Sequence, residues 1–179
     1  MKHSLIAFLL VISSLQASAE VTSTELFNAI NERLSYMQDV ALFKAQNNIS
    51  IENIERDNFV LDQAKISAQT EGLDPSQIED FFKAQIAVAK AIQFRYRADF
   101  LSDPSVEKPK DLETEVRPAV LALGNQIIRK IAVYVRMHGP ITSSLFAEFN
   151  TAINTKYVTT SDKKLLFTAL QKVELLPVK

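Results

Sequence analysis

The sequence has no cysteine and almost no histidine, and these two absences remove several classes of function. The lack of cysteine among the 179 residues excludes disulfides, thiolate metal sites and cysteine nucleophiles. Of the two histidines, His3 lies near the N-terminus and His138 precedes Gly139-Pro140, where a helix C-terminus favours a cationic side chain. We therefore expect neither a metal site nor a Ser-His-Asp triad.

An excess of charge of one sign is also lacking. The formal net charge is −1 at pH 7, with 20 basic and 21 acidic residues. Domains that bind nucleic acid normally carry a strongly basic face, so we expect no nucleic-acid partner. A field that attracts a charged ligand must therefore be local.

Glycine and proline are scarce, with three and six residues, and no strand alternation or internal repeat is evident. Widely spaced breakers favour long helices. Thr22-x-x-Glu25 is a capping box, Ser50 is expected to cap the second helix, and Asp74-Pro75 begins the third. We predict an all-α, single-domain bundle of about six helices without strands, over about residues 22–46, 50–72, 74–100, 112–138, 142–155 and 161–176, with a polar loop over 102–111.

The first 19 residues have the pattern of a cleaved secretory signal. Basic Lys2 and His3 precede an apolar stretch over residues 5–12, and Ala17-Ser18-Ala19 fits a signal-peptidase site. The alternatives are a membrane anchor or a first core helix, but the stretch is far shorter than the roughly 20 residues that span a bilayer. We predict cleavage before Glu20, a mature domain over residues 20–179, a periplasmic or secreted location, and no membrane contact after cleavage.

Two cations interrupt the apolar stripe of the first predicted helix. A 4-3-4-3-4 spacing places six residues on one face, namely Leu26, Ile30, Arg33, Met37, Val40 and Lys44. Burying a cation without a partner costs several kcal/mol. Three explanations stay open: acidic residues neutralise the two cations, their stems extend to solvent, or the face lines a site for an anionic ligand.

Polar side chains also interrupt the later helices. The second helix has Arg56 close to Asn53 and Asp57. The third has two amides, Gln85 and Gln93, on either side of Ala89 at i, i+4 and i+8. The fourth begins with Arg117. A pocket enclosed by these helices contains several cations and an amide, without an evident nucleophile or histidine base. It suits a small dianion with an uncharged bond to polarise, rather than hydrolysis.

The order and spacing of these residues resemble a known family. Glu32-Arg33-Leu34, Phe43-Lys44 and Arg56 place three cations at intervals of eleven and twelve residues. This set resembles the active-site spacing of the all-helical, AroQ-type chorismate mutases, and it continues through Leu73-Asp74-Pro75, Gln85-Ile86 and Ala91-Ile92-Gln93. A signal peptide, a catalytic half, a proline-containing loop, an arginine and further helices follow in an order similar to the secreted gamma subclass.

The resemblance implies a reaction and a role for each matching residue. The reaction is the intramolecular Claisen rearrangement of chorismate to prephenate, which needs no cofactor. Arg33 and Arg117 would hold the two substrate carboxylates, with Arg56 completing the cationic wall. Lys44 and Gln93 would donate hydrogen bonds to the ether oxygen of the breaking bond.

Other positions are implied less directly or depart from the family. Asn53 and the neighbouring Asp57 fall near the expected place of the substrate hydroxyl. Ala89 and Val60 stand where some relatives carry polar residues. The family also implies a homodimer with each pocket inside one protomer. Because a neutral glutamine donates a hydrogen bond at any pH, Gln93 predicts a kcat/KM that is nearly flat from about pH 5 to 8.

Two other functions stay open. The chain is alternatively an exported, non-enzymatic helical module that binds a small dianion or a peptide through the same cations, or an interaction protein whose buried cations are paired. Some secreted relatives tie their C-terminal helices with a disulfide, which this sequence cannot form. We therefore expect packing alone to hold residues 140–179, through Phe146, Phe149, Leu165, Leu166 and Leu170.

Overall fold

The computed structural model describes residues 21–104 and 107–177, so the predicted signal over residues 1–19 lies outside the described residues. Seven α-helices are described in these two ranges: α1 Ser23–Ser35, α2 Met37–Gln46, α3 Ile54–Thr70, α4 Pro75–Ser102, α5 Arg117–His138, α6 Phe146–Ala152 and α7 Thr160–Leu170. A π-helical turn, Leu112–Val116, leads directly into α5, and a 3₁₀ turn, Ser143–Leu145, leads into α6.

The predicted all-α class is confirmed. Across residues 21–104 and 107–177 the only β-type pairing is an isolated antiparallel bridge between Leu73 and Leu175. If α1 and α2 are counted as one interrupted helix, the described chain has the six predicted helices. The interruption falls at Tyr36, where the Ser35 hydroxyl donates to the Glu32 carbonyl at 2.7 Å. Such a bond to the preceding turn bends helices.

Two of the three predicted helix starts are confirmed. Thr22 and Glu25 form the expected capping box of α1. The Asp74 carboxylate accepts from the backbone N–H groups of Ser76 and Gln77 at the start of α4.

The prediction that Ser50 caps the second long helix was wrong. The Asn53 side chain caps α3 instead, accepting from the Arg56 N–H at 2.8 Å. The chain stays irregular before that point because Ile51 is buried in the core and its carbonyl accepts a hydrogen bond from Lys44.

Helix α4 is the central element of the bundle. It packs against α2, α3 and α7, while α5 packs against α1 and α3. None of the helices within the described ranges is long and apolar enough to cross a membrane. Because α1–α2, α3, α4 and the start of α5 face one another, their inward polar side chains come together between them.

The C-terminal region is held by more than the packing we expected. Phe149 packs edge-on against Phe27 with ring centroids 5.1 Å apart, and Leu166 and Leu170 are buried, but Leu165 is half exposed. Phe146 is partly buried and contacts the core. In addition, two backbone hydrogen bonds tie the tail to the turn between α3 and α4: Asp74 N–H to the Glu174 carbonyl and Leu176 N–H to the Gly72 carbonyl. The last helix therefore ends at Leu170 rather than near residue 176.

The preceding helix also ends earlier than predicted. α6 stops at Ala152 instead of near residue 155. The Asn31 carboxamide oxygen accepts from the backbone N–H groups of Asn154 and Thr155, at 3.0 and 2.9 Å. These N–H groups are thereby satisfied outside a helix, and residues 153–155 cross over α1.

Candidate active site

All nine residues predicted for the site line a single cavity. It lies between α1–α2, α3, α4 and the start of α5, and encloses about 680 Å³ of empty space, part of it open to solvent. The residues are Arg33, Lys44, Asn53, Arg56, Asp57, Val60, Ala89, Gln93 and Arg117.

Lys44 and Gln93 meet on the wall formed by α2 and α4. The Lys44 ammonium donates to the Ile51 carbonyl at 2.9 Å and to the Gln93 Oε1 at 3.1 Å. The Gln93 amide nitrogen donates to the Ala89 carbonyl at 3.2 Å and lies 3.5 Å from the Met37 sulfur. Burial, followed by the positive charge of Arg117, lowers the pKa of Lys44 to about 8.

Arg33 lies deeper, between α4 and α5. Its guanidinium donates to the Gln85 Oε1 at 3.2 Å and lies over the Phe82 ring, 5.4 Å from the centroid. The Arg33 Nε has no hydrogen-bond partner among the described residues. Burial, with a smaller contribution from the charge of Arg56, lowers the pKa of Arg33 to about 10.

These contacts decide between the three explanations for the buried cations. Arg33 is 4% exposed and Lys44 7% exposed, so neither stem extends to solvent. No carboxylate in the described residues lies within 4.0 Å of either charge, although Lys90 and Arg117 of the same cavity both have such partners. Neutral acceptors hold both cations instead, and of the three explanations a site for an anionic ligand is the one with which these contacts agree.

Arg56 and Arg117 form the opposite, more open wall. Arg56 lies over the Phe59 ring at 4.9 Å, and burial together with the charge of Arg117 lowers its pKa. Arg117 is the first residue of α5 and pairs with Glu113. The π-helical turn that precedes Arg117 is capped by Asp111 and places Leu112 and Val116 on the cavity surface. Turns of this kind occur frequently at functional sites.

Lys90 was not predicted, although the structure places it on the cavity wall. Its ammonium lies 2.6 Å from Asp57 and also pairs with Glu52. The signal in the sequence was its spacing, because Ile86, Lys90 and Gln93 share one face of a helix at i, i+4 and i+7.

Asn53, Val60 and Ala89 complete the lining. The Asn53 side chain serves as the cap of α3, which fixes it at the edge of the cavity. Val60 and Ala89 contribute apolar surface from α3 and α4.

The charges around the cavity do not cancel. Five cations line it (Arg33, Lys44, Arg56, Lys90 and Arg117), and three carboxylates contact them (Glu52, Asp57 and Glu113), which leaves a formal charge of +2. In the described part of the chain no group of three or more His, Cys, Asp or Glu side chains is arranged to hold a metal ion. The fold and the cavity thus define an all-helical protein with a pocket of net positive charge.

Comparison with known proteins gives this class a family. The family model for chorismate mutase type II matches residues 16–94. A secreted chorismate mutase from Yersinia pestis is 38% identical over 147 residues, which cover 82% of this chain and 78% of that protein. A monofunctional chorismate mutase from Enterobacter agglomerans is 33% identical over 156 residues, covering 87% and 86%.

A solved structure agrees with these relatives. The crystal structure of the secreted chorismate mutase from Yersinia pestis superposes with a TM-score of 0.79 at 35% identity, covering 84% of this chain and 97% of that one. The chain therefore belongs to the chorismate mutase type II family, and its predicted classification as a chorismate mutase is confirmed.

Proposed function

We propose that the cavity converts chorismate to prephenate by holding the substrate in a reactive conformation and stabilising its ether oxygen. The observation that carries this proposal is the meeting of Lys44 and Gln93, 3.1 Å apart, in a buried position without a carboxylate. In a Claisen rearrangement the ether C–O bond breaks while a C–C bond forms in the same molecule, so no proton, water or cofactor is needed. Charge accumulates on the ether oxygen, where fixed donors stabilise it.

Lys44 supplies the charged donor. Its ammonium has three N–H groups, of which two are used by Ile51 and Gln93. The third is available to the substrate. Gln93 supplies a neutral donor, because one N–H of its amide is held by the Ala89 carbonyl and the other is directed to the Met37 sulfur, a weak acceptor that a substrate oxygen readily replaces.

The arginines hold the substrate's two carboxylates. Arg33 at the deep end and Arg117 at the open end are each suited to a bidentate contact with a carboxylate, and Arg56 adds charge between them. Fixing both ends restricts the flexible enolpyruvyl arm, which converts much of the entropic barrier into binding. Asn53 and Asp57 are proposed to face the substrate hydroxyl from the start of α3.

A single assay separates this proposal from a binding module without turnover. The mature chain is purified and the loss of chorismate absorbance is followed. Lys44→Ala should lower kcat by on the order of 10²–10³-fold, as the removal of an oxyanion donor does. Arg33→Ala should abolish most of the activity, and both variants should keep the helical circular dichroism. Folded wild-type protein that binds chorismate without turnover would favour the alternative.

We further propose export and self-association. Export to the periplasm or the medium is supported by the secreted relatives and by the signal pattern of residues 1–19. A homodimer with independent sites is supported by two features. One chain supplies every residue of the cavity described above, and α4 carries an apolar stripe on its outer face, at Ala87, Ala91, Phe94, Ala98 and Leu101.

A further inference from the structure

Gln85 stands directly behind the site without lining it. It is 0% exposed and lies one turn before Ala89 on α4, so it cannot contact a ligand in the cavity itself. The face shared by Gln85, Ala89 and Gln93 therefore divides into two parts. Gln93 reaches the cavity, and Gln85 reaches Arg33.

Gln85 provides the hydrogen-bond acceptor that holds Arg33 in the structure. The Gln85 Oε1 accepts a hydrogen bond from the Arg33 Nη1 at 3.2 Å, and this guanidinium has no other hydrogen-bond acceptor among the described residues. Two further contacts confine the same group. The Phe82 ring lies against it, and α5 approaches so closely at Gly124 that a Cβ there would lie 3.3 Å from the Phe82 ring and 3.8 Å from the Arg33 Nε.

The arrangement is poor as a device for stability alone. The Gln85 amide nitrogen is buried with no hydrogen-bond partner in the described residues, as is the Arg33 Nε. Buried donors without partners destabilise a fold. An apolar side chain of the same size would remove the unpartnered Gln85 amide nitrogen but would leave the Arg33 Nη1 without its acceptor. The amide at this position is therefore explained by its contact with Arg33 rather than by packing.

An amide differs from a carboxylate in what it leaves available. A carboxylate beside Arg33 would cancel its charge and occupy two N–H groups, as Asp162 cancels the charge of Arg95 elsewhere in the fold. An amide oxygen fixes one N–H and leaves the full positive charge for a ligand.

We infer that Gln85 is a positioning residue, which orients Arg33 for a substrate carboxylate without neutralising it. This inference rests on the proposed function only for the identity of the ligand. Since a carboxylate is bound in both the ground state and the transition state, loss of the positioning should raise KM more than it lowers kcat.

Two variants of matched size test this role. Gln85→Glu keeps the shape and adds a charge that competes for Arg33, and Gln85→Met keeps the volume and removes the acceptor. We expect KM for chorismate to rise about 10-fold or more in both, because bonds to charged groups are worth roughly that factor, with kcat within about threefold of wild type. Gln69→Glu, the same substitution on the exposed face of α3, should leave KM unchanged.

If the wild-type protein does not convert chorismate, calorimetric titration with chorismate still measures the affinity of wild type and variants, so failure of the two proposals can be told apart. Wild-type protein that binds chorismate but does not rearrange it, with weakened binding in both variants, contradicts the proposed reaction and supports the role of Gln85. An active wild-type protein with unchanged KM in both variants would overturn the role of Gln85 and leave the reaction standing. A lower thermal midpoint with normal KM would also overturn the role of Gln85, because that is the signature of a structural residue.

If Gln85→Met does not fold, the isosteric Gln85→Glu alone decides. Wild-type protein that neither binds nor converts chorismate overturns both.

Discussion

The ammonium of Lys44 loses much of its hydration in the cavity, and burial together with the charge of Arg117 lowers its pKa to about 8. The proposed reaction needs the protonated form. We therefore expect kcat/KM to be nearly flat from about pH 5 to 8 and to fall about tenfold per pH unit above that. Because a bound dianion favours the ammonium, kcat should decline only at higher pH. A pH–rate profile that stays flat to pH 10 would contradict this role of Lys44.

The same residue should make stability change in the opposite direction. Below pH 8 Lys44 is protonated in both states, and the folded state carries the penalty of burying the charge. Between about 8 and the ordinary lysine pKa of 10.5, only the unfolded chain holds the proton, so the free energy of unfolding rises with pH through this window. Lys44→Met lacks this contribution. The stability advantage of the variant over wild type, measured by denaturant titration at pH 7, 9 and 10.5, should shrink as pH rises.

Single residues of the site could be predicted where they interrupt the helical pattern of apolar residues. Arg33 and Lys44 were recognisable because each stands in an apolar stripe, where a cation needs an explanation. Lys90 lies on a mixed face and is paired with Glu52 and Asp57, so it looks like an ordinary surface lysine in the sequence. The role of Gln85 depends on Phe82 and Gly124, which come from two helices, and no local pattern contains that information.

Helices and their ends could be predicted only where local chemistry decides them. Thr22 and Asp74 begin helices because their side chains satisfy backbone N–H groups within three residues. Ser50 has the same capacity, but the burial of Ile51 overrides it. The extended tail likewise depends on its pairing with Gly72 and Asp74, about 100 residues earlier in the chain.

This tail gives a prediction at the scale of an element. Val173 is fully buried beside the two backbone hydrogen bonds that join the tail to the turn between α3 and α4. Val173→Ala removes two buried methyl groups and should destabilise the fold by about 2 kcal/mol, or about 4–8 °C in Tm for a domain of this size. The tail does not line the cavity, so kcat and KM should be unchanged. Thermal unfolding measures the effect, with Leu176→Ala at an exposed position as the control. A Val173→Ala midpoint equal to that of the wild type would show that packing of the tail adds no stability.

At the scale of the whole molecule, α4 presents a long apolar stripe that the rest of the described chain leaves largely exposed. On α4, Ala87, Ala91, Phe94, Ala98 and Leu101 follow a 4-3-4-3 spacing, and Phe94 and Leu101 are 52% and 82% exposed. This is the spacing of a seam between two helices. If two copies cross antiparallel about Phe94, the large Leu101 of one copy lies against the small Ala87 of the other, so the stripe is complementary to itself, as a two-fold interface requires.

Exchanging Phe94 and Leu101 together for glutamate should therefore convert a dimer into a monomer, because four carboxylates would face one another across the seam. Sedimentation velocity measures the change, and Met137→Glu, at an exposed apolar position on α5, should leave the dimer intact. The double variant should keep its helical circular dichroism and its kcat/KM, since each cavity is built from one chain. The proposal that this stripe forms the dimer interface would be contradicted if the wild-type protein were monomeric at tens of micromolar. It would also be contradicted if the double variant stayed dimeric. A dissociated variant that folds but has lost activity would instead mean that the second copy is needed to complete the site.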